Sequence, residues 1–159
     1  MLHIKLITVG SLKESYLREA VAEYQKRLGA FAKVDIVELK EARVAENPSA
    51  AEINAVLEKE ADAILAAIPP RSYTVALCVE GQSRSSEQLA TLLEDAMSRS
   101  SELCLVIGSS HGLSPRVKSC ANYRLSVSAL TFPHQLMRVL LLETVYRSLS
   151  ILHGSKYHK

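Results

Sequence analysis

No stretch of this 159-residue sequence approaches the ~20 consecutive apolar residues that a membrane-spanning helix needs. The opening MLHIKLITVG lacks the charged n-region, longer apolar h-region and small-residue cleavage site of a secretory leader, so none is expected. Cysteine is scarce. Cys78, Cys104 and Cys120 are odd in number and lack CxxC spacing, which predicts free thiols in a reducing compartment. Close ligand spacing is also missing among the histidines, so metal catalysis is not expected. The dinucleotide fingerprint, the P-loop and the G-x-S-x-G nucleophile elbow are all absent. With no internal repeat, low-complexity segment or linker, the expectation is a soluble cytoplasmic protein with a single domain over residues 1–159.

Hydrophobic residues make up 48% of the chain and charged residues 23%, the balance of an ordinary globular protein. A chain of this length buries about two thirds of its unfolded surface. The net charge of +2 is too small to signal a nucleic-acid partner by itself. Its distribution says more. From Leu103 onward there are seven Lys/Arg and one acid, Glu143, against 12 bases and 16 acids before it. Such asymmetry suits a basic face meeting a polyanion, although the same bases spread around a domain would merely solvate it.

Strand and helix signals alternate. His3–Val9 alternates apolar and polar residues, then Lys13–Leu28 places apolar residues at helical spacing and stops at Gly29. Lys33–Leu39 reads as a second strand, followed by a long helix between Pro48 and Ile68 that Pro69-Pro70 ends. Tyr73–Val79 and Leu103–Ile107 are nearly continuous apolar runs, as buried strands are. Between them Ser85 and Ser86 supply caps for a helix through about Ser98. A short helix near Pro115, a last strand Tyr123–Val127 and a final helix from Pro133 to about Leu152 complete the series. Repeated β-α units predict an α/β fold, a mostly parallel sheet with helices on both faces. The final helix is apolar around most of its circumference, which fits one face on the sheet and another on a second subunit; central burial in a monomer is the alternative.

Ligands in such sheets bind outside the carboxyl ends of the strands. Two segments stand there. Ile107–Pro115 (IGSSHGLSP) leaves a buried strand through Gly108 and has a second permissive point at Gly112. Ser126–His134 (SVSALTFPH) is a strand end and a loop of small and apolar residues, with main-chain groups free to pair with a ligand in a pocket suited to an adenine. Ser109 and Ser110 beside His111 do not make a nucleophile and base, because adjacent side chains rarely meet in that way.

The run IGSSHGLS, then LSVSALTFPHQLMRVLLLETVYRSLSIL, then the terminal YHK resembles the RlmH family of SPOUT-class methyltransferases. The N-terminal VG, EYQKRLG and the mid-chain VEG extend the resemblance over nearly the whole chain, with TFPHQLMRV and YHK its most specific parts. The resemblance implies a SPOUT-type α/β fold with a C-terminal trefoil knot, a homodimer, and S-adenosylmethionine held by the knot loops without a metal. Matching cofactor positions are Leu77, Gly108 and the run Val127, Ser128, Ala129, Leu130, Thr131 and Phe132. The implied reaction methylates N3 of a pseudouridine in helix 69 of 23S rRNA, on the assembled ribosome. This chain departs from the family pattern at Ser109, where a second glycine is usual, and at Lys159, where some relatives carry arginine.

Such a reaction requires the imide N3–H to lose its proton, and His134 with the tail residues Tyr157 and His158 are the candidates to assist. Tyr157 is placed to stack on a flipped base, in its own or a neighbouring subunit's site, and Arg138 to hold a phosphate or the base carbonyls. Arg147, four residues after Glu143, reads as its salt-bridge partner. Rival readings are a SPOUT enzyme acting on tRNA, a non-catalytic ribosome-binding protein, and a flavodoxin-like module. The last expects acids where this chain has Thr8-Val9-Gly10.

Overall fold

Two serines fix where the longer peripheral helices begin. Ser49 and Ser85 each accept from the amide three residues on, and Glu52 and Gln88 return the bond to the cap's own N–H. Both are reciprocal capping boxes. A third serine, Ser114, accepts from the Arg116 amide and places Pro115 at the first helical position.

The computed structural model describes residues 1–159 and contains ten elements. In chain order they are β1 (Leu2–Val9), α1 (Ser15–Leu28), β2 (Ala32–Leu39), α2 (Ala50–Ala67), β3 (Tyr73–Ser83), α3 (Ser86–Arg99), β4 (Glu102–Ile107), α4 (Pro115–Cys120), β5 (Tyr123–Ser126) and α5 (His134–Leu152). The strands form one sheet in the order β2-β1-β4-β3-β5, every pair parallel. This is the α/β architecture the alternation predicts.

Strand periodicity divides the core into two layers. Ile4 and Leu6 of β1 join Leu103, Leu105 and Ile107 of β4 beneath α1, α3 and α5. Ile7 and Val9 join Cys104 and Val106 on the opposite face, under α2 and α4. All three cysteines are free, and burial pushes the Cys104 thiol up to about 12.

Two sequence expectations change in detail. The strand beginning at Tyr73 does not stay buried to its end: Cys78 is half-buried and Val79 is exposed. Leu77 and Gln82 both register with Leu125, so residues 78–81 bulge out of the ladder. The cause lies at Gly81, where a Cβ would sit 2.7 Å from the Leu125 backbone carbon. Pro133 is the cap of α5 rather than its first residue, which is His134. The all-round apolar character of α5 finds a first explanation inside the chain, since α5 packs on the sheet with α1 and α3 to either side.

Where α5 begins, one buried cation ties it to the sheet. Arg138, 1% exposed, donates to Glu38 Oε2 at 2.8 Å and to the carbonyls of Val9 and Gly10 at 3.1 and 2.8 Å. Gly10 adopts φ +85°, a turn that presents its carbonyl there. Replacing Arg138 by Met orphans both carbonyls and is expected to lower the unfolding free energy by about 3 kcal/mol. Glu38→Gln, at a half-exposed position, should cost about 1 kcal/mol, and urea titration of both variants checks the two values.

Candidate functional site

The carboxyl ends of β3, β4 and β5 open on a cavity of about 710 Å³. That is ample for a nucleoside-sized ligand. Its walls come from the bulged end of β3, the β4–α4 loop, the β5–α5 loop and the first turn of α5.

The β4–α4 loop curls back on itself directly after the strand. Gly112 N–H donates to Ser109 O at 2.9 Å, closing a bridge between the two residues. A Cβ on Gly108 would lie 2.2 Å from Gly112 O, so only glycine allows this closure. Gly112 itself has φ +90°. From outside, the loop is fastened to α2: Ser109 Oγ donates to Glu60 and Ser114 Oγ to Glu58. Arg116 then bridges Glu58 and Asp62, each at 2.9 Å. The hydroxyl of Ser109 thus points at a carboxylate and accepts the His111 amide, away from any pairing with the His111 ring.

The β5–α5 loop is held lightly. Ser126 Oγ donates to Ser128 O, and Leu130 N–H to Ser128 Oγ, both at 3.0 Å. The other main-chain groups from Val127 to Phe132 join no turn or ladder and stay available to a ligand. Apolar side chains dominate the rest of the wall, among them Leu77, Ile107, Leu113, Leu125 and Met137. The charged pair in it, Glu80 with Lys118, is mutually satisfied and keeps the Glu80 carboxyl below its usual range. Cys78 also lines the wall, but burial raises its pKa and makes it a poor nucleophile.

Of the predicted cofactor residues, Leu77, Gly108, Val127, Ser128, Leu130, Thr131 and Phe132 line this one cavity; Ala129 lies in the loop but outside the wall. His134 lines it too. Burial lowers the His134 pKa, Arg138 adding to the effect while Glu41 and Glu60 oppose it, so the imidazole is neutral at physiological pH.

The other three candidates lie elsewhere. Arg138 is committed to Glu38 and the β1 carbonyls, which leaves its guanidinium no face for a phosphate. Tyr157 and His158 are docked on the chain's own helices. The Tyr157 hydroxyl donates to Glu143 at 3.0 Å, its ring meets Tyr146 edge-on at 4.8 Å, and Arg147 lies 4.7 Å over it. Burial first, then hydrogen bonding with Tyr24 and with Glu143, pushes the phenol up to about 12. His158 contacts Glu87 at 2.8 Å and Arg147 at 3.3 Å. The Glu143–Arg147 pair forms as the spacing predicts, at 2.7 Å.

Sequence reasoning missed the wall from Cys78 to Glu80 and the anchor at Glu60. A glycine after an apolar run was the available signal for the first. For the second it was a carboxylate on the apolar stripe of α2, between Val56 and Ile64.

Residues 2–158 match the family model described as predicted SPOUT methyltransferase. The chain belongs to the SPOUT methyltransferase family. It is 50% identical over 157 residues, 98% of this chain and 99% of the relative, to the ribosomal RNA large subunit methyltransferase H of Streptococcus thermophilus. Its identity to the Bacillus pumilus protein of that name is 46% over 159 residues, covering 99% of this chain and all of the relative. SPOUT methyltransferases in general depend on S-adenosylmethionine. The cavity fits that molecule in kind, having apolar walls for an adenine and unpaired main-chain groups for its polar edges. No group of three or more His, Cys, Asp or Glu side chains is placed to hold a metal ion.

Gly108→Ala should lower the unfolding free energy by about 1–3 kcal/mol, because the loop must open to admit the methyl. Gly112→Ala meets open space and pays only the left-handed backbone, about 1–2 kcal/mol. Chemical denaturation of both variants checks the ordering.

Proposed function

We propose that this protein, one SPOUT-like domain over residues 1–159, binds S-adenosylmethionine in the cavity at the carboxyl ends of β3, β4 and β5. With it, the protein methylates N3 of a pseudouridine in helix 69 of 23S rRNA. It acts as a cytoplasmic homodimer on the assembled ribosome. The observation that carries this reading is the convergence of two loops, the glycine-bearing 108–112 and the 127–132 run of small and apolar residues, on one cavity in a chain of this family. The names of relatives about half identical to it favour large-subunit ribosomal RNA over tRNA. The trefoil knot belongs to the same proposal. β5 is an edge strand while α5 packs beneath the sheet between α1 and α3, an arrangement that a crossing of the 127–133 loop over the β4–α4 loop would suit.

When bound, the sulfonium supplies an electrophilic methyl group. The chain's task is alignment and removal of one proton. Leu77, Gly108 and the 127–132 loop hold the cofactor, with the 78–81 bulge as the opposite wall. His134, neutral and at the cavity edge, accepts the N3 proton through an imidazole nitrogen and passes it to solvent. Arg138 acts through position, setting where α5 and His134 begin. Tyr157 and His158 meet the target base across the dimer. In their own subunit they sit level with Glu143, about 14 Å along the helix from His134.

Transfer of labelled methyl to ribosomes lacking the modification, with naked 23S rRNA and bulk tRNA in parallel, tests the proposal. N3-methylpseudouridine from ribosomes alone is expected; label in tRNA overturns the substrate. Deleting Tyr157–Lys159 should abolish transfer and leave cofactor affinity within about twofold, since the cavity wall lacks these residues. His134 also predicts a pH effect. Its folded pKa is depressed, so the unfolded chain binds more protons below about 6.5 and stability falls as pH drops through that value. Activity should fall with the neutral imidazole, at a pH lower than an exposed histidine would give. His134→Asn should abolish the component of acid destabilisation that calorimetry attributes to this group.

A further inference from the structure

We propose that Glu60 and Ser109 form a clasp that sets the shape of the cofactor loop, making both positioning residues for cofactor affinity; this rests on the cavity being the S-adenosylmethionine site. Glu60 is 4% exposed on the buried stripe of α2, one turn from Val56 on one side and Ile64 on the other. Helical periodicity calls for an apolar residue there. A carboxylate in such a place is costly unless both oxygens are satisfied. They are, and by two different loops. Oε1 accepts from Ser109 Oγ at 2.9 Å, and Oε2 accepts from the Ala42 amide at 3.3 Å.

Each arm reaches a part of the site. Ser109 Oγ, having donated to Glu60, accepts the His111 amide at 3.4 Å, so the carboxylate fixes the curl that Gly108 and Gly112 permit. Ala42 adjoins Glu41, whose side chain packs at Gly10 and whose charge is felt at His134. One buried group therefore joins the cofactor loop to the segment beside the proposed base. Glycines make that loop easy to deform, and the clasp removes the alternatives before the ligand arrives. Preorganisation of this kind raises affinity by lowering the ordering cost of binding.

Titration calorimetry of the full-length protein with S-adenosylmethionine and S-adenosylhomocysteine, on wild type, Ser109→Ala, Glu60→Gln and the double variant, tests the clasp. Ser109→Ala removes one oxygen and should weaken both ligands about tenfold, with KM raised and kcat at saturation kept within about twofold. Hydrogen exchange at residues 109–113 of the ligand-free variant should accelerate by more than the lowered unfolding midpoint, which the orphaned Glu60 oxygen brings, accounts for. The double variant should bind no worse than Glu60→Gln, because the two act as one unit. Should Glu60→Gln fail to fold, Ser109→Ala decides alone. Wild type that binds beside Ser109→Ala of equal affinity and equal loop exchange overturns the clasp and leaves the site intact. Wild type that binds neither ligand overturns the cofactor reading, and this role with it.

Discussion

A single guanidinium determines where the last third of the molecule sits. Arg138 is buried at the start of α5, and two of its bonds go to main-chain carbonyls at the end of β1. A charge in that position is tolerable because Glu38 and two carbonyls accept from it, leaving only Nε without a partner, and breaking such a set exposes the rest. The consequence is geometric. With α5 pinned to the end of β1, the chain leaving the edge strand β5 has to travel across β3 and β4 to reach it. The 127–133 loop is that crossing, and the cavity is the space left between it, the β4–α4 loop and the bulge of β3. The binding site is a by-product of how the last helix returns to the middle of the sheet.

Those walls are held by unlike means, in keeping with what each must do. The β4–α4 loop is closed by its own main chain and clasped to α2 through Glu58, Glu60 and Asp62. The β5–α5 loop has two hydrogen bonds involving serine hydroxyls, one donated and one accepted, and little else. A rigid wall facing a compliant one lets a ligand be oriented against the first and enclosed by the second. Unpaired main-chain groups cost least where they border an open cavity, which is where Val127–Phe132 run.

Most of the fold was legible because its signals are local. Alternation in β1, apolar runs in β4, a serine cap at 85 and the Glu143–Arg147 spacing act within a few residues, and each appears as predicted. The two loops were legible because each follows a strand at the carboxyl end of the sheet, one leaving through Gly108 and the other a run of small and apolar residues before Pro133. The rest depends on residues distant in sequence. Nothing near Gly81 announces the β5 backbone beside it, nothing near Arg138 announces Gly10 O, and nothing near Glu60 announces Ser109, 49 residues away. The apolar circumference of α5 pointed to a partner subunit, while α1 and α3 already cover much of it.

The docked tail bears on how the proposed active site is completed. Tyr157 is held by one edge-on aromatic contact, one arginine over its ring and one hydroxyl bond. Contacts of these kinds contribute about 0.5–1.5 kcal/mol each at partly exposed positions. His158 adds its contact with Arg147 and a solvent-exposed pair with Glu87, the latter worth little. The tail is therefore attached by a few kcal/mol at most, against a core whose removal would cost the fold. Gly154 at φ +69° turns the chain back along α5, and it is the natural pivot for release. A segment that docks in one place at so small a cost can be exchanged for a better-fitting surface whenever a second subunit or a bound base offers one. The weakness of these contacts is what the proposed sharing of the active site between subunits would require of them.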